Sequence, residues 1–207
     1  MKNNFLSLLI IFWKISISIP RKYQNRLSYL ASLIIGMFLK KRSYISKKNI
    51  EVCFQDLEAN KKKQLIKDNI AQSGSVMFDT GVAWFWSNAR INKEIDYCLN
   101  GLNELEKEQR DGNGVLLFFK HSLHLELDAR LLGMNINIYG VERNHNSDYF
   151  DTVQKGGRLK GVLDLCDKNN PFKFIKWLKS GKTVLYATDQ DYGLKGAEVI
   201  KFFDQPA

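Results

Sequence analysis

A histidine and a carboxylate five positions apart, His121 and Glu126, are the residues whose types and spacing best suit chemistry. They follow a continuous hydrophobic segment, residues 115–119, which is typical of a strand buried on both faces of a parallel sheet. Ligands of open α/β sheets bind beyond the carboxyl ends of the strands, so His121 stands where a site is expected. Because a carboxylate on one imidazole nitrogen leaves the other to take a proton, we predict a general base, His121, oriented by Glu126. A histidine that is merely hydrogen-bonded is the alternative.

Four further charged residues follow predicted strands or lie between glycines and the next strand: Arg143, Arg158, Asp189 and Asp191. An arginine in this position can bind an anionic headgroup or a phosphate, or stabilise an oxyanion. Solvated arginines and turn-capping aspartates are the alternative explanation for each residue taken alone. Since they succeed one another at strand ends, we expect them on the same rim of the sheet as His121.

A metal site is not favoured by the pattern of ligand-type residues. His124 and Asp128 lie four positions apart near His121, but the H-E-x-x-H arrangement is absent and His145 is the only other histidine. The run 189–193 begins like a calcium loop but lacks the later acidic positions. We therefore predict no metal site.

Composition predicts a globular chain whose charge lies mainly at one end. A hydrophobic content of 44% and an aromatic content of 12% in 207 residues exclude wholesale disorder. Residues 1–63 hold 13 of the 31 basic and 3 of the 22 acidic residues, so this region carries +10 and the remainder −1. The same region holds the longest apolar runs, a combination that suits an anionic membrane surface. No recognition-helix or zinc-finger motif accompanies it, so nucleic acid is not predicted as a partner.

The first apolar run, residues 5–19, predicts membrane contact. It is shorter than the roughly 20 residues of a comfortable span, and Lys14 interrupts it, so a tilted short anchor and an in-plane helix both stay open. A signal peptide is disfavoured because no small-x-small cleavage site follows. The basic residues beyond the run and the three widely spaced cysteines favour a cytoplasmic position for the bulk of the chain. We predict an anchor and linker over residues 1–45 and one domain over residues 46–207.

The domain alternates strand and helix patterns. Residues 58–86 are broadly helical. Residues 115–187 alternate apolar strands, among them 115–119 and 183–187, with helical segments. One helix is predicted over residues 122–132, and another is opened by Pro171 and followed by Gly181. A loop is expected at 155–161. This alternation predicts an α/β fold with right-handed crossovers and a mostly parallel or mixed sheet flanked by helices.

In their order and spacing, these segments resemble the lipid A biosynthesis acyltransferases of Gram-negative bacteria, which transfer lauroyl, palmitoleoyl or myristoyl groups. These enzymes lie within the wider lysophospholipid acyltransferase group with its H-x4-D/E motif. The segments that carry the resemblance are residues 49–54, 80–86, 121–127, 140–143, 157–158, 187–193 and 202–207.

The resemblance implies an N-terminal anchor in the cell inner membrane and an α/β domain on its cytoplasmic side. The implied reaction transfers a fatty acyl group from acyl carrier protein to a hydroxyl of the Kdo-bearing lipid A precursor, an anionic lipid, without a cofactor. His121 is then the general base and Glu126 its orienting partner. Arg158 stabilises the oxyanion or holds an acceptor phosphate. The remaining residues, Arg143, Asp189 and Asp191, shape the acceptor side.

Three features depart from the family's pattern. Lys120 precedes the histidine, residues 142–144 read Glu-Arg-Asn instead of Tyr-Arg-Pro, and relatives continue beyond residue 207 for on the order of a hundred residues, about one small domain. The C-terminal part of the fold is therefore expected to be missing, which would leave an exposed sheet edge. The early end of the chain leaves one alternative open, a non-catalytic, membrane-associated lipid-binding remnant. A second alternative, acyl transfer to a glycerolipid acceptor, would use the same His121 and Glu126 pair.

Overall fold

The computed structural model describes residues 2–38, 40–189 and 198–206, which form ten helices and six strands. The helices are α1 (Lys2–Ser16), α2 (Arg21–Phe38), α3 (Lys40–Cys53), α4 (Ala59–Gln72), α5 (Ser75–Phe85), α6 (Asn88–Glu94), α7 (Leu102–Arg110), α8 (Leu125–Gly133), α9 (Asp148–Arg158) and α10 (Pro171–Lys179). The strands are β1 (Val115–Phe119), β2 (Ile138–Glu142), β3 (Leu165–Asp167), β4 (Thr183–Ala187), β5 (Lys201–Phe202) and β6 (Gln205–Pro206). Asp191, predicted on the acceptor side, lies outside the described residues.

Four parallel strands form the main sheet in the order β1-β4-β2-β3. Helices α8, α9 and α10 each connect one parallel strand to the next along the chain. The α/β class and the parallel sheet of the prediction are confirmed. Because all four strands run the same way, their carboxyl ends meet at one rim. Strands β5 and β6 form a separate antiparallel pair.

Different helices cover the two faces of the main sheet. On one face, Ile138 and Leu185 pack with residues of α7 and α8. On the other face, Val184 packs with Trp177 of α10. Successive residues of a strand point to opposite faces, so Val184 and Leu185 belong to different cores. Because both faces of the sheet are covered, the strands are apolar at successive positions, as predicted for residues 115–119.

The predicted strands 115–119 and 183–187 have the observed bounds, whereas two other predicted boundaries are wrong. The predicted loop 155–161 is helical as far as residue 158, which ends α9. Helix α8 begins at Leu125 and not at Ser122. The Ser122 hydroxyl accepts a hydrogen bond from the backbone N–H of His124 at 3.2 Å, and this local turn competes with a helical start.

The chain divides into two compact units. The first comprises residues 1–21 and 79–189, and contains the main sheet together with His121, Glu126 and Asp189. The second comprises the described residues of 22–78 and 198–206. The boundary predicted at residue 45 lies inside α3.

Helix α1 packs within the first unit and has one apolar face exposed. Its Trp13 contacts the rings of Trp84 and Phe85 on α5, with centroid distances of 5.6 and 5.2 Å, and Ile10 and Ile17 are buried. In the part of the chain that the structure describes, no helix has both the length and the apolar character needed to cross a membrane. The spanning form of the predicted anchor is therefore not supported.

Candidate active site

His121 lies in the irregular turn just beyond β1 and is held by a carboxylate from the neighbouring strand. Its Nδ1 is 2.5 Å from Oδ1 of Asp189, and its backbone N–H donates to Oδ2 at 2.8 Å. Strand β4, which pairs with β1, ends two residues before Asp189. A carboxylate can only accept, so in the neutral imidazole Nδ1 carries the proton and Nε2 presents its lone pair. Nε2 has no hydrogen-bond partner among the described residues, and 36% of the side chain is exposed.

The carboxylate on His121 is thus Asp189, whereas the sequence predicted Glu126. Asp189, expected on the acceptor side, makes the contact with His121 that was predicted for Glu126. Glu126 instead accepts hydrogen bonds from Arg158 and, at 2.8 Å, from the indole Nε1 of Trp84. Both carboxylate oxygens of Glu126 accept hydrogen bonds in these contacts. Glu126 itself lies in the first turn of α8.

Arg158 lies between two carboxylates. Its Nε and Nη2 donate to Glu126 over 2.5–3.2 Å, and its Nη1 donates to Glu142 at 2.8 Å. Burial disfavours the guanidinium charge, but the hydrogen bonds and charges of the two glutamates outweigh burial and raise the pKa of Arg158. The network joins α8, α9 and β2. Because its charge is already compensated, Arg158 is better placed to hold these elements together than to bind a phosphate.

Arg143, just beyond the end of β2, differs from Arg158 in being exposed. Its backbone carbonyl accepts a hydrogen bond from Gln154 at 3.4 Å, while its guanidinium forms no ion pair with any described residue. The structure thus brings His121 and Asp189 together and places Glu126 with Arg158. Arg143 lies exposed just beyond the end of β2.

A second histidine–carboxylate contact lies beside the first and was missed by the sequence analysis. Nδ1 of His124 is hydrogen-bonded to Asp79 of α5, whose other oxygen is 2.5 Å from Nη2 of Arg21. The Asp79 side chain is buried, and this contact ties the turn that carries His121 to α5. The sequence did contain a signal for this contact, because Asp79 is the single acidic residue in the apolar sequence of α5. A carboxylate buried by such a helix needs a cationic partner elsewhere in the fold.

Comparison with known proteins identifies the family. The sequence model described as bacterial lipid A biosynthesis acyltransferase matches residues 2–207. The chain belongs to this family. The resemblance inferred from the ordered segments is therefore confirmed.

Several curated members of the lipid A acyltransferase family are similar to the chain. A lipid A biosynthesis palmitoleoyltransferase of Escherichia coli (strain K12) is 35% identical over 166 residues, which cover 80% of this chain and 54% of the relative. A lipid A biosynthesis acyltransferase of Haemophilus influenzae is 36% identical over 167 residues, which cover 81% of this chain and 52% of the relative. A lipid A biosynthesis lauroyltransferase of E. coli K12 is 30% identical over 193 residues, which cover 93% of this chain and 62% of the relative. The chain spans about half the length of the first two relatives.

In this member of the lipid A acyltransferase family, Gly157 is required by close packing next to the Arg158 network. A Cβ at Gly157 would overlap the ring of Trp84, whereas a Cβ at Gly156 meets nothing within 4 Å. We expect Gly157→Ala to lower the free energy of unfolding by about 1–3 kcal/mol through overpacking. The neighbouring Gly156→Ala is the matched control, and should stabilise α9 by up to ~1 kcal/mol. Urea unfolding of both variants checks this, and equal stabilities would contradict the packing argument.

The Asp189–His121 contact makes a pH-dependent contribution to stability. The hydrogen bond from the His121 side chain lowers the pKa of Asp189, and burial opposes this only in part. A carboxyl whose pKa is lower when folded contributes stability above its unfolded pKa, about 4, and loses it as the pH falls through the folded pKa. We therefore expect the stability difference between wild type and Asp189→Asn to be present at pH 6 and to shrink progressively as the pH falls below about 4.

Urea unfolding over this pH range measures the difference directly. Asp56→Asn, which removes another exposed carboxylate, is the control for the loss of one charge. A difference for Asp189→Asn that is equally large at pH 6 and in strong acid, well below pH 4, would show that the ionised carboxylate does not stabilise the folded chain.

Metal ligands are not clustered in the described ranges. No group of three or more His, Cys, Asp or Glu side chains among those residues is arranged to hold a metal ion. The site as described therefore consists of an imidazole–carboxylate pair at the rim, with the Arg158 network beside it.

Proposed function

We propose that the chain transfers a fatty acyl group from acyl carrier protein to a hydroxyl of the Kdo-bearing lipid A precursor. The observation that carries this proposal is the contact between His121 and Asp189 at the carboxyl rim of the sheet, in a chain of the lipid A acyltransferase family. It supplies an oriented imidazole with an available nitrogen, which is what deprotonation of a hydroxyl requires.

In the proposed mechanism, Nε2 of His121 takes the proton of the acceptor hydroxyl as its oxygen attacks the thioester carbonyl. Asp189 stabilises the imidazolium that forms, because it already accepts from Nδ1. The tetrahedral intermediate then expels the thiolate of the carrier, which takes the proton from His121. An ester and a free thiol result, and no acyl-enzyme forms.

The other predicted residues take supporting parts in this proposal. Glu126 and Arg158 hold α8 and α9 against β2, and so fix the turn in front of α8 that carries His121. Arg143 provides an exposed cation for an anionic group of the acceptor. Asp191, which lies outside the described residues, stays a predicted acceptor-side residue.

Membrane association through α1 completes the proposal. Six large apolar side chains of α1 are exposed: Phe5, Leu8, Leu9, Ile11, Phe12 and Ile15. The opposite side of the helix is committed to α5, so α1 would lie in the plane of the bilayer surface. With the +10 charge of residues 1–63, this favours an anionic leaflet, and we place the chain on the cytoplasmic side of the inner membrane.

The deciding experiment combines the purified chain, acyl carrier protein loaded with a fatty acid, and the Kdo-bearing precursor in mixed micelles. Mass spectrometry should show the precursor with one added acyl group. A parallel reaction with a lysoglycerolipid tests the alternative acceptor. Lipid binding without acyl transfer to either acceptor, from a folded chain, would favour the non-catalytic remnant and overturn the proposal.

A further inference from the structure

The outer face of α10 combines exposed apolar side chains with exposed basic ones. Phe172, Ile175, Lys176 and Lys179 follow the i, i+3, i+4, i+7 spacing of one helical face, and all four are exposed. Phe172 is 83% exposed and Ile175 41% exposed. Trp177, which is buried in the core, lies on the other side of the helix. We call these four residues the α10 outer face.

The two lysines of the α10 outer face, Lys176 and Lys179, form no ion pair with any residue that the structure describes. Lys173 on the flank of the helix, by contrast, is bound to Asp164 at 2.9 Å and to the carbonyl of Leu165 at 2.7 Å. The α10 outer face therefore joins two exposed apolar side chains to two available positive charges. This combination matches a partner that is acidic and offers apolar contact.

The position of α10 connects this face to the candidate active site. Helix α10 follows β3, so its amino end, with Phe172, lies towards the carboxyl rim of the sheet where His121 and Asp189 meet. Phe118 of β1, which is 72% exposed, lies on the same face of the sheet as α10. Apolar surface is therefore present on this side of the sheet close to the rim.

The same geometry separates the α10 outer face from the proposed membrane surface. Helix α1 packs on α5, and Trp84 of α5 is hydrogen-bonded to Glu126 of α8. Helix α8 covers the face of the sheet opposite α10. A bilayer that receives the exposed side of α1 thus lies on the other side of the sheet from α10, which favours a soluble partner for α10.

We infer that the α10 outer face docks the acidic carrier protein that delivers the acyl thioester. The inference rests on the proposed function for the identity of the partner. Lys176 and Lys179 are one helical turn apart and would pair with carboxylates on the carrier. Phe172 and Ile175 would make the apolar contact at the end of α10 nearer the rim. Docking here brings the thioester to the carboxyl rim of the sheet, where His121 and Asp189 meet.

The first test reverses the charges of the α10 outer face. With acyl carrier protein as donor, Lys176→Glu combined with Lys179→Glu should raise KM about tenfold or more and leave kcat within about twofold, because like-charged surfaces repel. With acyl-pantetheine, a small donor without a protein surface, the same variant should match wild type. The control is Lys63→Glu with Lys67→Glu on α4, two exposed lysines whose reversal changes net charge equally.

A second test measures docking without chemistry. Fluorescence anisotropy of labelled carrier protein bearing no acyl group should show binding that Phe172→Ser weakens and Leu163→Ser, at another exposed apolar position, does not. If wild type binds the carrier in this way but transfers no acyl group, the proposed function fails and the docking surface stands. If transfer proceeds and the α10 variants match their controls with the protein donor, the docking surface is wrong.

Flotation with anionic vesicles separates a lipid from a protein partner. The α10 variants should float with vesicles of phosphatidylglycerol and phosphatidylethanolamine as wild type does. Loss of flotation together with unchanged carrier binding would assign the α10 outer face to the membrane and overturn the inference.

Discussion

Replacement of His121 by alanine should lower kcat for acyl transfer by at least ~10²-fold, because positioned proton transfer contributes that much. KM for either substrate should change little, since the imidazole acts on the reacting hydroxyl and not on the groups that bind the lipid. Steady-state rates with the loaded carrier protein and the lipid A precursor measure both parameters. Turnover near the wild-type value would remove His121 from the mechanism.

Two substitutions test which carboxylate, Asp189 or Glu126, orients the imidazole of His121. Asp189→Asn should lower kcat by about 10–10²-fold with KM preserved, because the asparagine amide no longer favours the imidazolium. Glu126→Gln should retain most of its kcat per folded molecule, since Glu126 contacts Arg158 and Trp84 rather than His121. Circular dichroism of both variants provides the folded fraction. The opposite result, a normal Asp189→Asn and a slow Glu126→Gln, would restore the pairing predicted from sequence.

The pairing of His121 illustrates what sequence patterns predict and what they do not. Unbroken apolar runs predicted β1 and β4, and strand ends predicted that His121 and Asp189 share a rim. The order of strands in the sheet is not encoded in such runs. Because β4 lies beside β1, while β2 does not, Asp189 reaches His121.

The direction of Glu126 depended on where α8 begins. Each residue of a helix turns the side-chain direction by about 100°, so a start three residues later than predicted moves every side chain of the first turn. The Ser122 turn sets that start, and it left Glu126 facing Arg158. The glycines before Arg158 suggested a loop, yet Gly157 is helical and is small because Trp84 packs on it. Such packing requirements are tertiary and leave no local pattern.

Removal of the Arg158 guanidinium should be among the most destabilising single changes in the chain. The side chain of Glu142 is only 3% exposed, and Arg158 is its ion-pair partner. Arg158→Met would therefore leave the carboxylates of Glu142 and Glu126 without this cation. Loss of one partner of a buried ion pair costs about 3–5 kcal/mol, and we expect about 3 kcal/mol here because the guanidinium itself keeps some exposure. Urea or guanidinium unfolding measures the loss.

The compensating variant distinguishes unpaired charge from lost packing. If the penalty comes from two carboxylates without a cation, Arg158→Met should cost much less when Glu126→Gln and Glu142→Gln are already present, because neutral amides need no counter-charge. Arg158→Lys should lie between, since an ammonium retains the charge but cannot reproduce the two-pronged contact with Glu126. An equal cost of Arg158→Met in both backgrounds would mean that the aliphatic part of Arg158, and not its charge, stabilises the junction of α8, α9 and β2 on which the His121 turn depends.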